Sequence, residues 1–324
     1  MTTPRPPVSR LAPSPTGELH LGNLRTFLLN WLLARARGWR LLLRIEDLDA
    51  PRVRESHSQS ILDTLAWLGI DHDGTAARQS DDLEPYRAAM RTLASRGLAY
   101  TCALSRAELR RAVAAPHAGD REVPYPEALR PTDPDRFRFD ERPVNHRLVV
   151  PADEVRIVDG FAGSSVFRPS EEVGDFVIWT KQGVPSYQLA VVVDDARQGV
   201  TDVVRGDDLL PSAARQVLLY RALGLDPPRW WHVPLVLGPD GERLAKRHGS
   251  TSAESLRRSG VAAERVIGLL GHWLGALPHR SPIDARSLLR RFAPRLDGDS
   301  LEHLGIRPVT CTEEDVAWLS ACST

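Results

Sequence analysis

Lysine is nearly missing from this chain. Of its 42 basic residues, only Lys181 and Lys246 are lysine. Arginine serves wherever a generic cation suffices, so a lysine marks a candidate position for a compact ammonium. Cysteine is scarce as well. The three present, Cys102, Cys311 and Cys322, are far apart. They exclude a disulfide framework and a complete zinc site, and they fit a reducing compartment. No run approaches the ~18 apolar residues of a membrane span. The start, Met1 to Pro7, has no apolar core of a signal peptide. A cytoplasmic protein without a membrane partner is therefore expected. An excess of either charge is also lacking, because 42 acidic residues balance the 42 basic ones. Any surface for nucleic acid must then be local. Internal repeats and low-complexity segments are absent.

What is present is ordinary in bulk. The chain has 324 residues, 42% hydrophobic and 26% charged. That suits a soluble protein of two domains, or of one domain with a large insertion.

The informative stretch runs from Arg10 to Asn23. A β-prone piece, 8–12, leads into a Pro/Gly loop. Helical spacing of Leu24, Phe27, Leu28, Trp31 and Leu32 follows over 24–37. A loop opening a helix brings backbone N–H groups and the positive end of the dipole against an anion. Gly17 and Gly22 let a base or phosphate approach the main chain. His20 can hydrogen-bond phosphate oxygens.

Further on, 39–45 reads as a buried strand ending in the acids Glu46, Asp47 and Asp49. Helices are expected over 56–68 and 83–95. From 100 to 185 prolines become frequent, with short β-like runs at 136–139, 147–150, 155–158 and 176–179; the Pro-rich piece 114–134 reads as loop. The run 187–194 is apolar throughout and predicts a central strand covered on both faces. Strands at 200–204 and 232–237 flank a helix over 209–223 that ends at Gly224. The glycine-flanked basic loop 238–250 holds Lys246, and 252–324 reads as mainly helical.

His20-Leu21-Gly22-Asn23 resembles the first signature of the class I aminoacyl-tRNA synthetases. Leu244-Ala245-Lys246-Arg247, after Arg243, resembles the second. Arg44 to Asp49, Tyr187 to Ala190 and Val204 to Leu210 are similar to the glutamyl branch. The matches keep chain order over about residues 8–250.

The resemblance implies an α/β fold, a Rossmann-like parallel sheet with an inserted α+β subdomain and a short helical C-terminal segment. Residues 1–99 and 186–250 form its catalytic unit, 100–185 its insertion and 251–324 its helical end. ATP with Mg2+ is implied. His20 and Lys246 carry the catalytic role, and Pro13, Gly17, Gly22 and Asn23 join them in holding ATP. L-Glutamate is implied in a pocket of Arg10, Leu11, Ala12, Pro13, Ser14, Glu46, Tyr187 and Arg205. A salt bridge from Arg205 to Asp207 or Asp208 is the competing reading of that residue.

About 75 residues follow the second signature. No anticodon-binding domain is expected there. This short form resembles members of the branch that attach glutamate to the queuosine base at the wobble position of tRNA(Asp). The implied partner is the anticodon stem-loop of that tRNA, met by a monomer. The alternatives are charging of a tRNA 3′ end and a non-catalytic glutamate- or tRNA-binding role. The family's insertion often holds zinc through three cysteines and a tyrosine. Here Cys102 and Tyr125 match, but Leu104 and Leu129 stand in for the other thiolates, so no zinc is expected. The docking surface is not legible in scattered arginines such as Arg106, Arg110, Arg111, Arg290 and Arg291.

Overall fold

The computed structural model describes residues 5–49, 52–104, 124–140, 142–244, 251–298 and 300–321. In chain order come β1 (Val8–Leu11), α1 (Leu21–Ala36), β2 (Arg40–Ile45), α2 (Glu55–Trp67), β3 (Ala77–Arg78) and α3 (Glu84–Ser95). Next are β4 (Ala99–Cys102), β5 (Asn145–Leu148), β6 (Val155–Asp159), β7 (Gly163–Phe167), α4 (Pro169–Glu172) and β8 (Val177–Trp179). Then follow α5 (Tyr187–Arg197), β9 (Asp202–Gly206), α6 (Leu210–Leu223), β10 (Arg229–Val233) and β11 (Val236–Leu237). The end holds α7 (Ala253–Arg258), α8 (Ala263–Trp273), α9 (Ala285–Phe292), β12 (Val309–Thr310) and α10 (Glu313–Ser320).

Two parallel groups of strands build the centre. β1, β2 and β3 pair in that order, and β6, β10 and β9 pair in that order, with β7 antiparallel on the outer edge of β6. The groups meet where Thr201 N–H donates to Val8 O at 2.9 Å. Helix α1 is apolar nearly all round, as a helix between a sheet and other helices must be. Leu24, Leu28, Trp31 and Leu32 are buried in one large core with α8 and α9. A second core on α3, α5 and α6 covers the other face. Asn30 ties α1 to β1, accepting from Ser9 Oγ at 2.8 Å and donating to Arg10 O at 2.9 Å. An α/β fold follows. Among the described residues no helix is long and apolar enough to cross a membrane.

β4, β5 and β8 form a separate antiparallel sheet in the stretch read as an insertion. Buried Asp175 knits it together, accepting from Tyr100, from Arg130 and from Val150 N–H. β6 and β7 belong instead to the central sheet.

Three expectations are corrected. The run 187–194 is helix α5, not a strand. Every side chain from Leu189 to Asp195 is buried, so the run carries no alternation to separate strand from helix. Tertiary contacts then override the β preference of its three valines. The piece 136–139 holds a 3-10 turn, Pro134–Phe137, not a strand. The expected strand 232–237 is broken at Pro234, which has no N–H for a ladder, into β10 and β11. The C-terminal end also contributes a strand, β12, beside β11.

Candidate active site

The order of the strands reverses between β1 and β9. Ligands of open α/β sheets sit at such a switch point, outside the carboxyl ends of the strands. Here a cavity of about 740 Å³ opens there. Its walls come from the loop after β1, the end of β2, the start of α5, the end of β9 and the turn after β10.

His20 is the N-cap of α1. Its Nδ1 accepts from Asn23 N–H at 3.4 Å, and Asn23 Oδ1 accepts from His20 N–H at 3.3 Å. Because Nδ1 accepts, the donor nitrogen of the ring is Nε2. A Cβ on Gly22 would lie 3.0 Å from the imidazole, so glycine keeps room for this cap. The loop thus presents a helix N-terminus and an imidazole N–H to the cavity.

Lys246 lies outside the described residues. The residues bracketing its segment are held at the cavity, one side by β11 and the other by the first loop. Leu244 lines the cavity and donates to Val236 O at 2.9 Å. On the far side, Leu21 N–H donates to Thr251 O at 3.1 Å and Ala253 N–H to Leu19 O at 2.8 Å. Arg243 pairs with Asp208 at the mouth.

The floor is made of buried charge. Asp195 accepts from Arg44 at 2.7 Å and from Arg10 at 3.3 Å. Arg44 also holds Glu46 at 3.0 Å, and Asp194 lies 3.7 Å away. Burial raises the Glu46 carboxyl above its ordinary range, against the pull of Arg44 and Arg10. Arg205 differs from this group. It donates to His232 Nε2 at 3.0 Å, Gln216 Oε1 at 2.8 Å and Leu209 O at 3.1 Å, and stacks on Trp230 at 4.6 Å. Among the described residues no carboxylate is within ion-pair distance of it; Asp208 is spent on Arg243, so the alternative salt bridge to Asp207 or Asp208 is not formed. Burial accordingly lowers its pKa. Tyr187 lies beside it, with 40% of its surface exposed at the mouth, and burial of its hydroxyl end raises that pKa.

The cavity therefore joins an anion-binding helix end to a buried cation. The family model described as tRNA synthetases class I (E and Q), catalytic domain, matches residues 8–279. This chain belongs to that family.

Within it, a glutamyl-Q tRNA(Asp) synthetase of Symbiobacterium thermophilum is 42% identical, with 96% of this chain and 98% of that protein covered. A glutamate–tRNA ligase 2 of Roseobacter denitrificans is also 42% identical, over 80% of this chain but 55% of its own length. A crystal structure of a glutamate tRNA ligase from Elizabethkingia meningosepticum in complex with its amino acid superposes with a TM-score of 0.80 at 26% identity, covering 97% of this chain and 69% of that one. Class I membership makes the chain an ATP-dependent ligase.

Arg10, Ala12, Pro13, Ser14, Gly17, His20, Gly22, Asn23, Glu46, Tyr187 and Arg205 all line this synthetase's cavity. Leu11 does not; its side chain is fully buried in the core behind β1. Sequence reasoning missed Arg44, Asp195, Gln216 and His232. Arg44 and Asp195 both stood inside runs similar to the family, 44–49 and 191–200, without being singled out. His232 carried no signal, because a histidine after two tryptophans looks like any strand residue.

Away from the cavity, the four positions of the family's zinc site do converge. Cys102 Sγ donates to the Tyr125 hydroxyl at 3.5 Å, and Leu104 and Leu129 pack against the cluster these two form with Tyr100. Two leucines have no lone pair to give, so a four-ligand zinc does not fit these residues. Apolar contact occupies the same corner instead. Among the described residues no group of three His, Cys, Asp or Glu could hold a metal.

Proposed function

We propose that this protein activates L-glutamate with ATP and transfers the glutamyl group to the queuosine base at the wobble position of tRNA(Asp). One observation carries the reading: Arg205 is a buried, always-charged fork with neutral partners at the floor of the cavity. A planar cation so placed matches the side-chain carboxylate of glutamate. The similarity to glutamyl-Q tRNA(Asp) synthetases over nearly their whole length supports the choice of acceptor.

In this reading Arg205, Tyr187 and Arg10 receive the side-chain carboxylate, with Ala12, Pro13 and Ser14 along the pocket wall. Glu46 receives the α-ammonium, since Arg44 occupies only its Oε1. ATP lies on the loop of Pro13, Gly17, His20, Gly22 and Asn23. Lys246 neutralises charge on the phosphates, two residues beyond Leu244 in the chain. Mg2+ accompanies the triphosphate. A glutamate α-carboxylate oxygen attacks the α-phosphorus, and pyrophosphate leaves with the electron pair of the broken P–O bond. A cyclopentene hydroxyl of queuosine then attacks the acyl carbon of glutamyl-adenylate, loses its proton and expels AMP. Rate comes from positioning and charge stabilisation, with no covalent enzyme intermediate.

The test is nucleoside mass spectrometry after incubation with glutamate, ATP and queuosine-bearing tRNA(Asp). Glutamyl-queuosine is the expected product. Glutamate on the 3′ adenosine of a tRNA would replace this reading by the ligase alternative. Absence of pyrophosphate exchange would replace it by a non-catalytic role.

A further inference from the structure

Asp159, His232 and Arg205 lie in one row across three adjacent strands. In the β10–β9 register His232 faces Arg205, and Asp159 sits at the end of β6 beside Trp230. All three are at least 95% buried. His232 Nδ1 is 2.6 Å from Asp159 Oδ2, and its Nε2 is 3.0 Å from Arg205 Nε. Guanidinium Nε–H can only donate, so Nε2 must accept. The proton of the ring is then on Nδ1, donated to Asp159.

We propose that Asp159 and His232 are positioning residues that aim the Arg205 fork at the side-chain carboxylate of the amino-acid substrate. The inference rests on Arg205 having the role given above.

The arrangement resolves a conflict. A carboxylate placed directly on Arg205 would orient it but would also occupy the fork. With a neutral imidazole between them, Asp159 fixes the geometry from one residue away. The contacts to His232, Gln216 and Leu209 use one N–H on each guanidinium nitrogen. The remaining N–H on each terminal nitrogen lies on the side of the Tyr187 hydroxyl, which also hydrogen-bonds the guanidinium, and such a fork beside a hydroxyl suits a carboxylate. Trp230 stacks on both the imidazole and the guanidinium, which limits rotation. Asp159 is itself locked, because its Oδ1 accepts from Phe161 N–H and Ala162 N–H at 2.9 Å and from His232 N–H at 3.0 Å.

That lock gives a sharp test. In Asp159→Asn the Phe161 and Ala162 N–H groups, which reach only Oδ1, keep the carbonyl oxygen there, while the His232 N–H spans both oxygens. The amide NH2 then points at His232 Nδ1 and forces the proton to Nε2, donor against donor with Arg205. The assay is glutamate-dependent ATP–pyrophosphate exchange by the full-length protein, with KM measured for glutamate and for ATP. D159N should raise the glutamate KM roughly tenfold to a hundredfold, the scale of a hydrogen bond to a charged group. The ATP KM should stay within about twofold of wild type, as for a site whose other wall is intact. His232→Leu should do the same, and His232→Gln, whose carbonyl can accept from Arg205, should recover much of the loss. Wild-type glutamate KM in both D159N and H232L would overturn the proposal. So would an equal rise in both KM values, or a His232→Gln variant no better than H232L. Arg205→Ala in the same assay separates the two claims. If it leaves the glutamate KM unchanged, the pocket assignment falls; if it raises it while D159N does not, only the relay falls.

Discussion

Two buried guanidinium sites stand on either side of β1. Arg44, on β2, is fully buried among Asp195, Glu46 and Asp194. Arg205, on β9, is nearly as buried and has, among the described residues, only neutral hydrogen-bond partners. Burial lowers the pKa of both. At Arg44 the three carboxylates outweigh it and the net shift is upward. At Arg205 burial prevails and the net shift is downward. The same side chain in the same sheet thus does two jobs. Arg44 is the hub of a buried cluster of ion pairs, in which Arg10 and Arg197 also serve its acids. Arg205 is left with an unmet demand for an anion, which is what a binding site for a carboxylate needs.

That contrast predicts opposite balances between stability and binding. Arg205→Ala should raise the glutamate KM roughly a hundredfold to a thousandfold, the cost of leaving one charge of a buried pair alone. Its unfolding free energy should change by about 1 kcal/mol or less, because the lost hydrogen bonds are offset by removing a buried cation. Arg44→Ala should do the reverse in stability. Three carboxylates lose their shared partner, and urea unfolding should show a loss of about 3–5 kcal/mol. Equal stability losses in the two variants would erase the distinction.

How much of this was legible in the sequence differs between the two arginines. Arg205 was found because it sits in a family motif, and the cavity was anticipated from two distant signatures. The β1–loop–α1 unit and the helix ending at Gly224 were readable from local spacing and from a left-handed glycine cap. Arg44 was not singled out, since its cluster is completed by Asp194 and Asp195. Those acids came from a run that reads as a strand because β-branched residues crowd it. Only the packed helix α5 turns both acids onto Arg44. Likewise the Asp159–His232 contact joins residues 73 apart in sequence. No local pattern announces a long-range pair of that kind.

Acid should sharpen the contrast further. Burial holds His232 below the 6.5 of a free histidine, opposed by Asp159 and assisted by Arg205, with Asp208 also facing it. The ring is neutral when folded, so the unfolded chain takes up its proton first as pH falls below about 6.5. Stability from this group is complete above that pH and is lost between it and the folded value. A protonated His232 would also point an N–H at Arg205. The glutamate KM should therefore be flat from pH 7 to 8 and rise in acid, as His232 gains a proton and Glu46 loses its charge, while the ATP KM does not follow it. Buried His146 is shifted the same way by burial, so stability alone will not isolate His232.

The smallest effect belongs to the corner of Cys102, Leu104, Tyr125 and Leu129. Chelation by EDTA should leave the unfolding midpoint unchanged, because leucines rather than thiolates close this corner. The double variant L104C/L129C should bind about one zinc per chain by elemental analysis, as four suitable donors would then converge. Failure to bind would mean that the four positions, though adjacent, are not in ligand geometry.

The most direct measurement compares L-glutamate with L-glutamine in pyrophosphate exchange, for wild type and for Arg205→Ala. If a buried guanidinium with neutral partners selects the substrate by its charge, wild type strongly prefers glutamate and the variant loses most of that preference. A variant that still favours glutamate by the wild-type ratio would contradict the account.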